Sequence, residues 1–192
     1  MATQPHFTAG SPARKWRTLA LTLVAIGACG GAAAWWQSGL LPKRFGTVVE
    51  GRLYRSGEVT PAQLDRVHRQ FGVQRVISFL DPNAPQSVAE REAAARLGLR
   101  WENVPMRGDG SSTAADRERI VALLTEPDAP PTLIHCAAGA NRTGLATGLY
   151  RIHVQGWTYE QVLDEMRRYG FDDLPKHENL RQALRDAAAS RP

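Results

Sequence analysis

The chain has 192 residues, of which 43% are hydrophobic and 22% charged, and it contains no low-complexity tract, so we expect one globular domain with a short extension. The whole net charge of +5 comes from five bases in residues 1–44, where there is no acid, and the remainder of the chain is neutral. A nucleic-acid-binding domain carries its surplus of bases on its folded surface, so this distribution argues against that class of protein.

The N-terminal region is predicted to attach the protein to a membrane. A basic tail over residues 1–18 precedes an apolar run over residues 19–36 that no charge interrupts, and a linker follows over residues 37–44. The run is at the short end for crossing a bilayer, and it predicts a transmembrane or signal-anchor segment with the side of the membrane left open. The alternatives are a cleaved signal peptide, with small residues at 32–34, and a lipoprotein signal ending at Cys29.

Residues 45–192 are predicted to form a single domain in which strands and helices alternate. Strands are predicted near residues 45–49, 53–54, 75–80, 99–106 and 132–135. Helices are predicted after Thr60, from Ser87 to about Gly98, at 113–124, from the loop after Cys136 to Gly156, from Thr158 to about Gly170, and at 178–188. Ser87 with Glu90, and Thr158 with Gln161, are spaced as capping boxes. The alternation predicts an α/β fold with a central, largely parallel sheet flanked by helices.

The most informative stretch runs from His135 to Gly144, between an apolar strand and a helix. Five residues separate Cys136 from Arg142, enough to curl the backbone into a cup whose N–H groups point inward beside the N-terminus of the helix. Such a cup fits a dianionic phosphoryl group and lowers the pKa of a thiol. We therefore expect Cys136 to be a nucleophile and Arg142 to bind two phosphoryl oxygens through its planar fork.

The other residues of this stretch have predicted supporting roles. Gly139 permits a backbone conformation that a side chain would obstruct. Thr143 is expected to donate its hydroxyl to the sulfur, and His135 to orient the loop through its ring. The predicted substrate-binding loop consists of Ala137, Ala138, Gly139, Ala140, Asn141 and Arg142. Cys29 is too far from Cys136 in the sequence to suggest a disulfide framework.

The same stretch resembles the HC-x5-R-[ST] signature of cysteine-based protein tyrosine and dual-specificity phosphatases. The match includes the His before Cys136, the Gly three residues after it, and Arg142-Thr143-Gly144. More loosely, residues 45–190 are similar to the compact bacterial members of that family. The resemblance implies a protein tyrosine phosphatase-like fold, a two-step reaction through a cysteinyl-phosphate, and neither a metal nor another cofactor.

The resemblance also implies a general acid, an Asp on a loop that follows a strand upstream of the cysteine. Asp109 matches this position and is flanked by two glycines that permit loop movement. Asp116 is the next candidate but falls within a predicted helix, and Asp81 ends an earlier strand in a structural role. Arg55 is expected to form a structural ion pair.

Substrate class is predicted from what the loop lacks. None of Ala137, Ala138, Ala140 and Asn141 is basic, whereas lipid and inositol phosphatases of the family tend to place Lys or Arg there. The resemblance therefore favours phosphotyrosine in phosphoproteins, and a shallow cleft would also admit phosphoserine and phosphothreonine. A phosphoinositide phosphatase at a membrane and a phosphate-binding pseudophosphatase are the alternatives.

Overall fold

The computed structural model describes residues 41–190. The predicted basic tail and apolar segment, residues 1–18 and 19–36, lie outside the described residues. Within residues 41–190, no helix is both long and apolar enough to cross a membrane. Residues 41–44, at the end of the predicted linker, form a turn that enters the first strand.

The sheet is mixed and mostly parallel, as the alternation of elements predicted. Its strands are β1 (Gly46–Val49), β2 (Leu53–Ser56), β3 (Arg75–Ser78), β4 (Arg100–Asn103) and β5 (Thr132–His135). Their spatial order is β1-β2-β5-β3-β4, with β1 antiparallel to β2 and the other neighbours parallel. Only the β1–β2 connection is a tight turn, because parallel neighbours need a longer crossover.

Helices supply those crossovers and close the chain. They are α1 (Pro61–Phe71), α2 (Pro85–Arg96), α3 (Ala114–Thr125), α4 (Asn141–Gln155), α5 (Tyr159–Arg168) and α6 (Glu178–Ala189), with a short 3-10 turn at Pro175–His177. Thr60, Thr113 and Thr158 each cap a helix by accepting a hydrogen bond from the backbone N–H three residues on. The predicted cap at Thr60 and the capping box of Thr158 with Gln161 are thus confirmed.

Both faces of the sheet are covered, which explains why every residue of the central strands β2, β5 and β3 is buried. On one face, Leu53, Ile77 and Ile134 pack in a cluster with α3, α4, α5 and α6. On the other face, the neighbouring residues Tyr54, Val76 and Leu133 pack with α1 and α2. This three-layer arrangement directs the carboxyl ends of β2, β5 and β3 to one edge, where Ser56, His135 and Ser78 lie in register.

The predicted capping box of Ser87 with Glu90 is wrong. Helix α2 begins at Pro85 with Ala84 as its N-cap, and no side chain caps it. Ser87 and Glu90 lie inside the helix and are buried. The spacing matched a cap by chance, because Glu90 bonds with side chains beneath the helix rather than with its first turn.

Candidate active site

Cys136 directly follows β5, and its loop passes into α4 at Asn141. The cysteine is only 2% exposed, and the backbone N–H of Gly139 donates to its Sγ at 3.2 Å. Burial raises the pKa of the Cys136 thiol, but hydrogen bonds from the hydroxyl and backbone N–H of Thr143, the charge of Arg142 and the Gly139 N–H together outweigh it. The pKa of the thiol therefore lies below its ordinary value, as a nucleophile requires.

The loop is curled because its carbonyl groups are held outward. Three successive carbonyl oxygens, those of Ala137, Ala138 and Gly139, each accept a hydrogen bond from outside the loop. The donors are, in order, the Glu58 N–H at 3.2 Å, Arg44 Nη1 at 2.8 Å and Arg55 Nη2 at 2.9 Å. With the carbonyls bound on the outside, the N–H groups face the cup, which is the arrangement that binds anions.

Arg142 is fixed at the rim of the loop by the ends of two strands. Its Nη1 donates to the carbonyl oxygens of Phe79 at 3.0 Å and Met106 at 3.2 Å, just beyond β3 and β4. These are the hydrogen bonds of its guanidinium within residues 41–190, so Nε and Nη2 are free to bind two oxygens of a ligand. The predicted bidentate role is geometrically available.

Gly139 occupies a position that no other residue fits. Its φ is 74°, and a Cβ built there would lie 2.6 Å from Gly57 N and 2.8 Å from the carbonyl carbon of Ser56. These are backbone atoms, which cannot move aside as a flexible side chain would. The loop therefore packs directly on the end of β2.

His135 is held by a carboxylate that sequence analysis assigned elsewhere. His135 Nε2 lies 3.0 Å from Glu90 Oε1, and the same oxygen accepts from Trp101 Nε1 at 2.7 Å. The side chains of His135 and Glu90 are essentially completely buried. The pair ties the residue before Cys136 to helix α2. No local pattern pointed to Glu90, because the two residues are 45 positions apart.

Asp109 lies on the loop after β4 and lines the same cavity as Cys136. Its Oδ1 accepts from the backbone N–H and the hydroxyl of Ser111, at 2.9 and 2.7 Å, and these bonds hold its pKa below the ordinary value. The other candidate acids have local structural partners. Asp116 completes the capping box of α3 with Thr113, and Asp81 accepts from the Asn83 N–H.

The cavity over the loop has a volume of about 470 Å³ and includes residues that sequence analysis did not assign to the site. They include Arg44, Asp172, Lys176 and His177. His177 Nε2 lies 3.1 Å from Asn141 Nδ2, and His177 Nδ1 lies 2.9 Å from the Asp172 carbonyl oxygen, so the segment after α5 borders the loop. No sequence pattern joins these positions to Cys136. Within residues 41–190, no cluster of three or more His, Cys, Asp or Glu could hold a metal ion.

A family profile described as the tyrosine phosphatase family matches residues 40–183, three-quarters of the chain. The chain belongs to the tyrosine phosphatase family. This confirms the resemblance stated from the sequence, and with it the expected class of cysteine-based phosphatases. The fold also agrees with the fold of solved members of this family.

Among curated relatives, the dual specificity protein phosphatase TpbA of Pseudomonas aeruginosa (strain UCBPP-PA14) is 32% identical over 141 residues, covering 71% of this chain and 56% of TpbA. The inositol diphosphatase SIW14 of Saccharomyces cerevisiae is 26% identical, covering 68% of this chain and 46% of SIW14. The chain thus spans about half the length of these relatives.

Two solved structures of the same proteins show the likeness in three dimensions. A Cys-to-Ser variant of P. aeruginosa TpbA in complex with phosphotyrosine is 28% identical, with a TM-score of 0.57, and the match covers 73% of this chain and 87% of that one. The core catalytic domain of S. cerevisiae PP-IP phosphatase SIW14, in complex with citrate, is 26% identical, with a TM-score of 0.64, and the match covers 75% of this chain and 85% of that one.

Proposed function

We propose that this phosphatase hydrolyses phosphotyrosine monoesters in phosphoproteins through a cysteinyl-phosphate on Cys136. The observation that carries the proposal is the loop after β5, whose carbonyls are bound outward around a buried thiol of lowered pKa. The phosphotyrosine bound by a TpbA variant supports this substrate class. An open cavity would also admit phosphoserine and phosphothreonine.

In the first step, the Cys136 thiolate attacks phosphorus as the bond to the leaving oxygen breaks. Arg142 and the inward N–H groups of Ala137 to Asn141 bind the phosphoryl oxygens, and Asp109 gives its proton to the leaving oxygen. In the second step, Asp109 takes a proton from water, the water oxygen attacks phosphorus, and Cys136 leaves as a thiolate. Thr143 stabilises that thiolate through its hydroxyl.

The protonation state of Asp109 follows from its surroundings. Its bonds with Ser111 favour the ionised form, whereas a general acid must carry a proton. A dianionic phosphoryl group beside the carboxylate raises its pKa, since like charges disfavour ionisation. The two glycines next to Asp109 allow its loop to turn from Ser111 towards the leaving oxygen.

Inositol phosphates and diphosphates are the second candidate substrates. The sequence argued against them because the loop itself holds no base, but Arg44 and Lys176 bring two cations to the same cavity from outside the loop. A substrate with additional phosphates would use such charges. The relative SIW14 is an inositol diphosphatase, which supports this substrate class.

The apolar run over residues 19–36 leads us to propose that the phosphatase acts at a membrane. Fractionation of the full chain beside a chain that begins at residue 37 tests this: both in the soluble fraction would contradict the proposal. Phosphate release by the two forms from a soluble substrate also shows whether residues 1–36 affect access to the site.

The deciding experiment measures phosphate release by the full chain, with a chelator present, from a phosphotyrosine peptide and from an inositol diphosphate. We expect release from the peptide by the wild type and none by Cys136→Ser. Release from the inositol compound alone, lost in Arg44→Ala and Lys176→Ala, would replace the first substrate class with the second. Binding of both compounds without release would identify a phosphate-binding pseudophosphatase.

A further inference from the structure

A fully buried arginine lies directly behind the phosphate-binding loop. Arg55, near the end of β2, has no exposed surface, and its Nη2 donates to the carbonyl oxygen of Gly139. Its Nε and Nη1 find no acceptor within residues 41–190, and no carboxylate there lies within 4.0 Å of it. The ion pair expected from the sequence is therefore not formed in this part of the chain.

Arg75 shows that burial alone does not leave an arginine of this sheet without hydrogen-bond acceptors. It is the other arginine in the sheet with almost no exposure, and it lies near the opposite end of the adjoining strands. All of its donors are bonded: Nε to Thr132 Oγ1, Nη1 to Glu126, and Nη2 to the Leu123 carbonyl oxygen. A buried guanidinium without a carboxylate is costly, so the unpaired state of Arg55 calls for a different counter-charge.

The groups that contact Arg55 within residues 41–190 do not supply this counter-charge. Its guanidinium carbon lies 3.8 Å from the centroid of the Tyr169 ring, an orienting contact that carries no full charge. Glu165 is near, but its carboxylate is bound by Arg151 through two hydrogen bonds. Burial lowers the pKa of Arg55 to about 10, while Glu165, Tyr169 and Cys136 act to raise it and Arg151 to lower it. Arg55 is therefore charged at neutral pH.

Other charged groups lie near Cys136. Arg142 contributes a second cation at the rim, and Asp109 an acid across the cavity. His135, on the preceding strand, is paired with Glu90. Glu165 acts more strongly than Cys136 to raise the pKa of Arg55, but its carboxylate is already bound by Arg151. Within residues 41–190, the anion left to balance the charge behind the loop is the thiolate, followed during turnover by the phosphoryl group bound to it.

We propose that Arg55 is a positioning residue and the buried counter-ion of the Cys136 thiolate. By bonding the carbonyl of Gly139, it fixes the residue whose own N–H donates to Sγ, and its charge favours the ionised thiol from within the protein. The inference rests on the proposed function in that Cys136 is the reacting group. Arg55 itself touches neither the substrate nor the reacting atoms.

The test measures thiolate formation directly, without a phosphate substrate. The full chain is alkylated with iodoacetamide over a range of pH, and modification of the peptide that contains Cys136 is followed by mass spectrometry, so that Cys29 does not interfere. For Arg55→Gln we expect the midpoint of the alkylation profile to rise by about one pH unit, the lower end of the effect of a nearby opposite charge. Arg55→Lys, which keeps the charge, should show a smaller rise.

Arg75→Gln is the matched control. It also removes a buried arginine of the sheet, but Arg100 still pairs with both Glu102 and Glu126. We expect its alkylation midpoint to equal that of the wild type. An equal rise in both glutamine variants would overturn the proposal, because it would trace the change to a loosened sheet.

Tyr169→Leu keeps the result decisive if Arg55→Gln does not fold. This variant leaves the arginine in place but removes the ring that orients it, and we expect a rise smaller than one unit. An unchanged midpoint in every folded variant of Arg55 and Tyr169 overturns the proposal. If the Arg55 variants shift the midpoint but the wild type releases no phosphate, the counter-ion is supported and the proposed activity is refuted. The failure of the proposal and the failure of the proposed function are therefore distinguishable.

Discussion

At the scale of single residues, Gly139 offers a clear test of the loop. Gly139→Ala forces an L-residue into a φ of 74° and places its Cβ against the backbone of Ser56 and Gly57. We expect a loss of about 2–4 kcal/mol in the free energy of unfolding, from backbone strain and overpacking together. Urea denaturation measures this loss, and phosphate release should fall with it.

Gly72→Ala separates the two causes. Gly72 has nearly the same φ, 67°, but a Cβ there meets nothing within 4 Å. Strain alone should cost about 1–2 kcal/mol and leave activity intact. Equal losses of stability and activity in the two variants would show that the close approach of the loop to β2 does not matter.

Asp109 and Ser111 give the second residue-scale prediction. Asp109→Asn should slow turnover of phosphotyrosine by about 10²–10⁴, and less for esters with a good leaving group.

Ser111→Ala removes a hydrogen bond that lowers the pKa of Asp109, so the acid keeps its proton to higher pH and the alkaline limb of the pH profile of kcat should move to higher pH. The profile of Asp116→Ala should match the wild type, since that residue only caps α3. A normal rate in Asp109→Asn would refute its role as the acid.

The residues that sequence could predict are those whose partners are close in the chain. Cys136, Gly139 and Arg142 belong to one loop, so their spacing carried the geometry that the structure shows. Arg44 was assigned to a linker, although its side chain bonds the Ala138 carbonyl 94 positions away. Arg55 was expected to pair with a carboxylate, because no local sequence pattern indicates that a buried charge lacks an ion-pair partner.

At the scale of elements, Glu90 and Thr158 belong to two similar capping signals with different outcomes. Glu90→Ala should cost about 2–4 kcal/mol in the free energy of unfolding, because it leaves His135 and Trp101 without their buried acceptor. Thr158→Ala removes an exposed helix cap and should cost about 1 kcal/mol. Urea denaturation of both variants measures the difference, and similar losses would contradict the buried role of Glu90.

Helix ends were predictable where they depend on neighbouring residues. The threonine caps and the left-handed Gly156 after α4 lie within or next to the helices that they bound. The strand order β1-β2-β5-β3-β4 was beyond local patterns, because it depends on which apolar strands meet across crossovers. Alternation alone predicted parallel neighbours, and it did not indicate the antiparallel β1 at the edge.

At the scale of the whole molecule, the sheet explains why the loop can hold a thiolate. Ser56, His135 and Ser78 lie in register at one edge, so the segments after β2, β5 and β3 converge there. Through them, Arg55, Gly139 and the Phe79 carbonyl contribute to one site from three strands. The groups that most lower the pKa of Cys136 all belong to the segment from Gly139 to Thr143. The ends of the strands hold that segment in place through hydrogen bonds with Arg55, Ser56 and Phe79.

That lowered pKa links the active site to the stability of the whole domain. In the native state the thiol ionises below its ordinary value, while in the unfolded chain it ionises near ~8.5. Between the two values only the native state releases the proton, so the thiolate should stabilise the fold by up to ~1.4 kcal/mol for each pH unit of rise. This contribution is present in full above the unfolded pKa and is lost as the pH falls through the folded pKa.

Cys136→Ser isolates the effect because it removes the titrating group while keeping its size nearly the same. We expect the free energy of unfolding of the wild type, minus that of Cys136→Ser, to increase with pH up to about 8.5 and then level off. Urea denaturation of both proteins under reducing conditions, at closely spaced pH values, measures this difference. A difference that stays constant or falls with rising pH would mean that the native protein does not favour the thiolate, and the proposed nucleophile and its counter-ion would both lose their electrostatic basis.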